Sequence, residues 1–531
     1  MFLNICVIDA LARATGTRYS TFDVVGAGPR VVAGIAEKYG QTTFYTYEDA
    51  IKRVSRLLSC DVFMISAMSS DYGAVKKLLT TARSRGFRGK IIIGGPISFE
   101  YSKLLSNLPI DYVIVGEGEI PLTKLLPMLS TNSIKISEIP AIAYVEEGVV
   151  KVTSGHIYTP VEVLNSILPW SRVDEAFKHP QIYRFYVEVV RGCSNYHRPR
   201  IKTSKFTCID CSKCYSPTLE ERLTCPIGIP PGCGFCSVPY MFGPPRSRSI
   251  ESIKMEVEEL ITHGARRIVL SGPDFLDYMR EKLVGKVLTD PCYPPANIDA
   301  IEQLLNELFS ISEVKNCRVV IMVENIKACL VNEEVASVLG KYLKGTTIHI
   351  GLETGSKWFN EVVLGKPIFT EDVVKASKLL SSQGLRPYIY LIYGLPFTTR
   401  EVYRDTIEAV ELLKLSGVEK ITLYKFINLP ATAFEDLKPS VDEFRDIIRE
   451  LKRLVDKYNM VAKRKLLGAR IEAWLYESKG RIYGYPVNHG PVIFVEHKGK
   501  AMVSGCRGLI EVTDIGTRFA RGRLISISEC Q

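Results

Sequence analysis

Val190-Arg191-Gly192-Cys193 and Pro231-Gly232-Cys233-Gly234-Phe235-Cys236 bracket the stretch whose reading decides the fold. With all but three of the residues between Cys193 and Cys233 removed, the two pieces would read Cys-x-x-x-Cys-x-x-Cys. Here 39 residues separate Cys193 from Cys233, and they carry four further cysteines, Cys208, Cys211, Cys214 and Cys225. Three thiolates suit an iron–sulfur cluster in which one iron stays open to another ligand. The four cysteines of the insertion, residues 194–232, are enough for a second tetrahedral sulfur site. That site would take zinc or a second Fe-S cluster, and the spacing leaves both open.

Seven of the fourteen cysteines lie between Cys193 and Cys236. Clustering of this kind in a long chain without a secretion signal reads as metal binding rather than a disulfide framework. The scattered remainder (Cys6, Cys60, Cys292, Cys317, Cys329, Cys506, Cys530) reads as ordinary buried thiols. At 531 residues, 46% hydrophobic and 24% charged, the chain is expected to form several globular units. No apolar run approaches the roughly 20 residues of a membrane span, so the expectation is a cytoplasmic protein with no membrane contact. A net charge of +10 permits nucleic-acid contact without establishing it.

Alternating strands and helices place the cysteines. Residues 1–150 offer strands at Asn4–Asp9, Thr42–Tyr45, Asp61–Ser66, Lys90–Gly94 and Asp111–Val115, which predicts an α/β doubly wound parallel sheet. Residues 151–182 lack a clear period and read as a linker. From 183 to 475, strands at Phe185–Val190, Arg267–Ser271, Arg318–Val323, Thr347–Leu352, Tyr388–Tyr393 and Lys420–Tyr424 alternate with amphipathic helices, as in a partial or full β/α barrel. Cys193 follows the first of these strands. Residues 476–531 change to short β-like runs, Gly480–Tyr485, Pro491–His497, Lys500–Ser504, Ile510–Val512 and Gly522–Ser526, which predict a small antiparallel barrel.

Together these residues resemble the radical S-adenosylmethionine (SAM) superfamily. The resemblance implies a 4Fe-4S cluster on Cys193, Cys233 and Cys236, with SAM chelated at the open iron. Electron transfer into the sulfonium would release a 5′-deoxyadenosyl radical that abstracts hydrogen. It also implies SAM-binding roles for Phe235 beside adenine, for Gly272 and Asp274 in Ser271-Gly272-Pro273-Asp274, for Glu353 and Ser356 in Gly351-Leu352-Glu353-Thr354-Gly355-Ser356, and for Gly394 in Tyr393-Gly394-Leu395-Pro396. Asp274 stands where the family has glutamate. Turns dispersed in the right order are far more specific than a single motif.

Residues 1–130 resemble the cobalamin-binding domain found upstream of many radical SAM barrels. The matching turns are Ser66 in Asp61–Ser69, Gly94-Gly95-Pro96, and Gly116-Glu117-Gly118-Glu119. Ser66, Gly94, Gly95, Gly116, Glu117 and Gly118 would thus line a cobalamin site. The family's cobalt-ligating histidine has no counterpart, because no histidine precedes His156.

The C-terminal segment resembles the TRAM domain of tRNA methylthiotransferases. Its eight Lys/Arg against five Asp/Glu include Arg518, Arg521 and Arg523 beside Phe519, a set suited to phosphates and a stacked base. The basic run Lys463-Arg464-Lys465 would extend that surface. Three functions follow as expectations. The first is a radical SAM enzyme that methylates an unactivated carbon through cobalamin, with RNA (tRNA) as substrate and a ferredoxin or flavodoxin as electron donor. The second is a radical SAM tRNA methylthiotransferase. The third is a non-catalytic RNA-binding protein with zinc on its cysteines.

Overall fold

In the computed structural model, residues 2–18, 22–131, 133, 135–496 and 503–530 are described. The chain divides into two compact units: Met1–Val187 with Arg248–Ala265, and Glu188–Ser247 with Arg266–Gln531.

The first unit is built on strands β1 (Leu3–Asp9), β2 (Gly40–Thr46), β3 (Val62–Ser66), β4 (Lys90–Gly94), β5 (Tyr112–Ile114), β6 (Ile142–Glu146) and β7 (Val149–Val152). Their order in the sheet is β2-β1-β3-β4-β5-β6-β7. The first five in that order run parallel, and β6 and β7 are antiparallel additions at one edge. Every residue of β3 is buried, as expected for a central parallel strand covered on both faces. The helix Tyr72–Ser84 shows the matching logic: it buries Ala74, Val75, Leu78, Leu79 and Ala82 and leaves its polar face out. Such a 2-1-3-4-5 parallel order is doubly wound, with ligand sites beyond the carboxyl ends of the strands. The helix Ile250–Thr262 also belongs to this unit, where its buried Glu256 pairs with Arg30 and Arg248.

Residues 151–182, expected to be irregular, contain the helix Val161–Ser166 and two short 3-10 turns. The unit closes in β8 (Arg184–Glu188), where the chain crosses into the second unit.

The second unit carries parallel strands β9 (Arg267–Ser271) and β10 (Val320–Val323), paired with each other. It also carries β11 (Thr347–Glu353), β12 (Arg386–Tyr393) and β13 (Lys420–Lys425), joined in that order. Helices separate successive strands, so all five carboxyl ends lie on one rim, the position where β/α barrels place their chemistry.

The chain ends in a closed barrel of β14 (Arg470–Ser478), β15 (Arg481–Pro486), β16 (Val492–Glu496), β17 (Cys506–Ile515) and β18 (Phe519–Cys530), ordered β14-β15-β16-β18-β17. Its first strand starts at Arg470, ahead of residue 476. The barrel is not wholly antiparallel as expected, since β16 and β18 pair in parallel. Alternate residues of β17 point inward, placing Ile510 and Val512 in a core with Leu475, Ile493 and Ala520. The strand expected at Lys500–Ser504 and the last residue of Pro491–His497 fall largely outside the described residues.

The scattered cysteines correct the sequence reading. Six of those seven are paired, Cys6 with Cys60, Cys292 with Cys329 and Cys506 with Cys530, which leaves only Cys317 as a free thiol among them. Composition gave no sign of this, because each pair joins residues at least 24 apart in sequence. No described helix is long and apolar enough to cross a membrane.

Candidate active site and cofactor-binding residues

Glycines bring the three cysteines of the interrupted motif together. Gly192 has φ +87°, and a Cβ there would lie 2.4–2.5 Å from the Pro244 and Gly243 carbonyl oxygens. Only glycine fits, and it lets the Cys193 N–H donate to the Gly243 carbonyl at 3.0 Å. The Cys236 N–H donates to the Cys233 carbonyl at 2.8 Å, which closes the turn between the other two. Asn195 joins the pieces across the insertion. Its backbone N–H donates to the Cys193 Sγ at 3.4 Å, and its Nδ2 donates to the Cys233 Sγ at 3.3 Å and to the Gly365 carbonyl at 2.9 Å.

Burial pushes the Cys193 thiol up to about 11, and nearby Lys327 works against that rise. Burial also raises Cys233 and Cys236, and Lys366 opposes it at both. The charge on Cys233 is felt at both Cys193 and Cys236, so the three sulfurs share one site despite the 39 residues between the first two.

Two half-buried lysines flank this site, and neither stood out in the sequence. Lys327, in the loop after β10, donates to the Ser194 Oγ at 2.8 Å, the Asp274 Oδ2 at 2.9 Å and the Asp277 Oδ2 at 2.7 Å. Asp277 also accepts from the Ser194 hydroxyl and pairs with Arg280. Burial would raise the Asp277 carboxyl, but Lys327 and Arg280 hold it below its usual range. Asp274, which also feels Asp277, is raised by burial despite Lys327. On the other side, Lys366 donates to the Glu353 Oε1 at 2.5 Å and the Gly351 carbonyl at 2.8 Å. These ammonium groups supply fixed positive charge beside thiols that need it to ionise, which fits a thiolate-held anionic cluster.

The expected SAM-binding residues all lie at strand ends or on the cysteine loop. Gly272 directly follows β9, and a Cβ there would strike the Val190 side chain at 2.4 Å. Asp274 is buried, its Oδ1 accepting from the backbone N–H groups of Leu276 and Lys327. Glu353 ends β11 at φ +71°, a left-handed conformation rarely adopted by glutamate, with its carboxylate on Lys366. The backbone N–H of the buried Ser356 donates to the Thr354 hydroxyl, just ahead of a π-helical turn over Phe359–Val363. Gly394 has φ +76°, and its N–H donates to the Tyr403 hydroxyl at 3.1 Å. Phe235 packs on an apolar cluster that includes Phe359, Leu395 and Phe434. Asp274 and Glu353 are thus each engaged by a lysine, an arrangement the motifs alone do not announce.

The insertion folds back onto the same unit. The Arg200 N–H donates to the Val362 carbonyl at 2.8 Å, and Cys208, Cys211, Cys214 and Cys225 all line one cavity.

In the first unit, Ser66 and Gly94 are register partners in β3 and β4. Gly95 has φ +85°, and a Cβ there would lie 2.8 Å from the Ala67 carbonyl oxygen. Gly116 has φ +88°, and a Cβ there would meet His156 at 2.9 Å. Gly118 follows before the helix Glu119–Thr131. At Gly95 and Gly116 the missing side chain lets the turn pack against Ala67 and His156 of the same unit. Glu117 anchors the chain instead, its Oε2 accepting the Thr159 N–H at 2.9 Å. The loop after β1, where a cobalt-ligating histidine would stand, holds the buried Arg13 clamped by Glu48. Asp71 pins that loop by accepting the N–H groups of Ala12, Arg13 and Ala14.

On the small barrel Arg518, Arg521 and Arg523 are exposed. Arg523 pairs with Glu511 at 2.7 Å, Arg521 lies over the Phe519 ring, and Phe519 packs edge-on against Phe494. Lys463 is tied to the Gly516 and Thr517 carbonyls, and Lys465 to Glu419.

A profile of the Radical SAM superfamily matches residues 224–410, and a profile of the B12 binding domain matches residues 15–126. The first match begins inside the insertion, so it includes Cys233 and Cys236 but not Cys193. The uncharacterized protein MJ1620 of Methanocaldococcus jannaschii is 36% identical over 99% of both chains. A tRNA-2-methylthio-N(6)-dimethylallyladenosine synthase of Finegoldia magna is 28% identical over 42% of this chain and 44% of that one. Among solved structures, the radical SAM methyltransferase TsrM from Kitasatospora setae, with cobalamin and a [4Fe-4S] cluster bound, covers 82% of this chain and 74% of its own at TM-score 0.58 and 13% identity. That likeness is one of fold. The non-catalytic zinc reading is set aside by the two profile matches. The chain shares a family with MJ1620 and is itself a radical SAM enzyme that carries a B12-binding domain.

Proposed function

We propose that this enzyme is a cobalamin-dependent radical SAM methyltransferase acting on an unactivated carbon, with an RNA nucleoside as the substrate class. The observation that carries the reading is the presence of a B12-binding domain and a radical SAM domain in one chain whose fold follows TsrM over most of its length. Cys193, Cys233 and Cys236 would hold the 4Fe-4S cluster, with Cys193 rather than an insertion cysteine as the first ligand, because Asn195 donates to the sulfurs of both Cys193 and Cys233. When bound, the cluster and SAM supply a carbon-centred radical, and cobalamin supplies a transferable methyl group.

The chain's own residues prepare the site. Asn195 holds Cys193 and Cys233 in register through its N–H···S contacts. Lys327 and Lys366 offset the negative charge of thiolates in a buried place. Asp274 and Glu353, at the ends of β9 and β11, present carboxylates at the rim, where the amino and ribose groups of SAM would compete with the lysines for them. Ser66, Gly94, Gly95, Gly116 and Gly118 would cradle cobalamin without a histidine from the loop after β1.

The RNA part rests on the exposed arginines of the small barrel and on likeness to tRNA-modifying relatives. Anaerobic reconstitution with iron, sulfide and cobalamin, followed by label transfer from methyl-labelled SAM into RNA, tests it. Cobalt retention and labelled nucleoside support the proposal. Incorporation of sulfur together with methyl would favour the tRNA methylthiotransferase reading, which the Finegoldia magna relative suggests.

A further inference from the structure

The fourteen cysteines sort themselves by partner. Six form disulfides, and every member of the two groups between residues 193 and 236 is a free thiol. Cys193, Cys233 and Cys236 are accounted for above. Cys208, Cys211, Cys214 and Cys225 are not, yet they converge: all four line one cavity.

What surrounds the four thiols points to an anionic occupant. Arg198 is only 2% exposed, and its guanidinium donates to the carbonyls of Tyr196, Arg222, Leu223 and Ile229. Its remaining contact is Nη1 to the Cys214 Sγ at 3.6 Å, and no described carboxylate pairs with it. A buried guanidinium without a counter-ion is costly unless its neighbours are themselves negative. Ionised thiolates around a metal centre would supply that charge.

One feature is common to both cysteine groups. Cys208 accepts the N–H of Asp210 at 3.4 Å, as Cys193 accepts that of Asn195 at 3.4 Å, and N–H···S contacts of this kind tune iron–sulfur centres. Cys225 is followed by Pro226, as in ferredoxin-like Cys-Pro pairs.

We propose that Cys208, Cys211, Cys214 and Cys225 ligate a second iron–sulfur cluster, with Arg198 as its buried counter-charge. The test is iron and acid-labile sulfide per full-length chain after anaerobic reconstitution, with neither cobalamin nor methyl acceptor added. Wild type should hold about eight irons, and C193A/C233A/C236A about four, as expected for one remaining 4Fe-4S centre. C208A/C211A/C214A/C225A should also hold about four and keep SAM cleavage measurable. The first variant leaves the insertion untouched, so its iron reads the second site even if the other variant fails to fold. An iron-free C193A/C233A/C236A protein, or one that binds a single zinc in place of iron, would overturn the proposal. Neither result depends on whether the enzyme methylates.

Discussion

The two cysteine groups differ in their walls more than in their ligands. Cys193, Cys233 and Cys236 lie deep at the rim of the parallel strands, between Lys327 and Lys366, each lysine locked to a carboxylate. Cys208, Cys211, Cys214 and Cys225 sit in an irregular arm with Cys211 exposed, and the buried Arg198 brings positive charge to Cys214. The contrast is what coordination chemistry would ask for. A centre with one open iron needs walls that exclude water and hold a second ligand. A centre closed by four thiolates needs little more than the loop that carries them.

Removing each group in turn should give the largest contrast. C193A/C233A/C236A should abolish 5′-deoxyadenosine formation from SAM to background, read by chromatography after reduction with dithionite. The four-alanine variant of the insertion should leave detectable product. Equal loss in both would break the distinction between an open and a closed centre.

The walls can be tested next. Lys327→Met removes the partner of two buried carboxylates, and breaking a buried pair costs about 3–5 kcal/mol. Urea unfolding of the metal-free chain measures this, and Arg198→Met should cost less because it strands no carboxylate. A larger loss from Arg198→Met would reverse the comparison.

Acid should act on the segment that joins the groups. His197 lies between Asn195 and Arg198, and burial lowers it from 6.5 to about 4. It is therefore neutral in the fold, while the unfolded chain takes up a proton below about pH 6.5. Stability should be full above pH 6.5 and fall by about 3 kcal/mol as the pH drops to about 4, beyond the loss seen in His197→Gln. Identical pH profiles for the two proteins would show that the joining segment is not the acid-sensitive part.

The smallest effect is expected at the small barrel. Each of R518A, R521A and R523A should lower the salt-dependence slope of single-stranded RNA binding by about 0.7, read by fluorescence anisotropy. Unchanged slopes would confine RNA recognition, if it occurs, to other parts of the chain.

How much of the molecule is legible in sequence depends on the kind of signal. The parallel strands of the first unit and the five strands of the second announce themselves through period and glycine turns, which are local properties. Cys193 is recognisable because Arg-Gly-Cys follows a strand, although 39 residues hide its partners. Lys327 and Lys366 escape notice for a physical reason: a single lysine in a polar loop looks solvated, and only the fold buries it against Asp274, Asp277 and Glu353. The disulfides escape for the same reason, since pairing is decided by the fold and not by spacing. Glu117 carries a contact of the same hidden kind: in its family-like turn, its Oε2 accepts the N–H of Thr159, a residue 42 positions away.

Reductive cleavage of SAM by the reconstituted full chain tests the central claim most directly. The account predicts 5′-deoxyadenosine in wild type when reductant, SAM and a filled cluster are present, and none when Cys193, Cys233 and Cys236 are alanine. A wild-type chain that holds its iron yet yields no more product than this variant would contradict it.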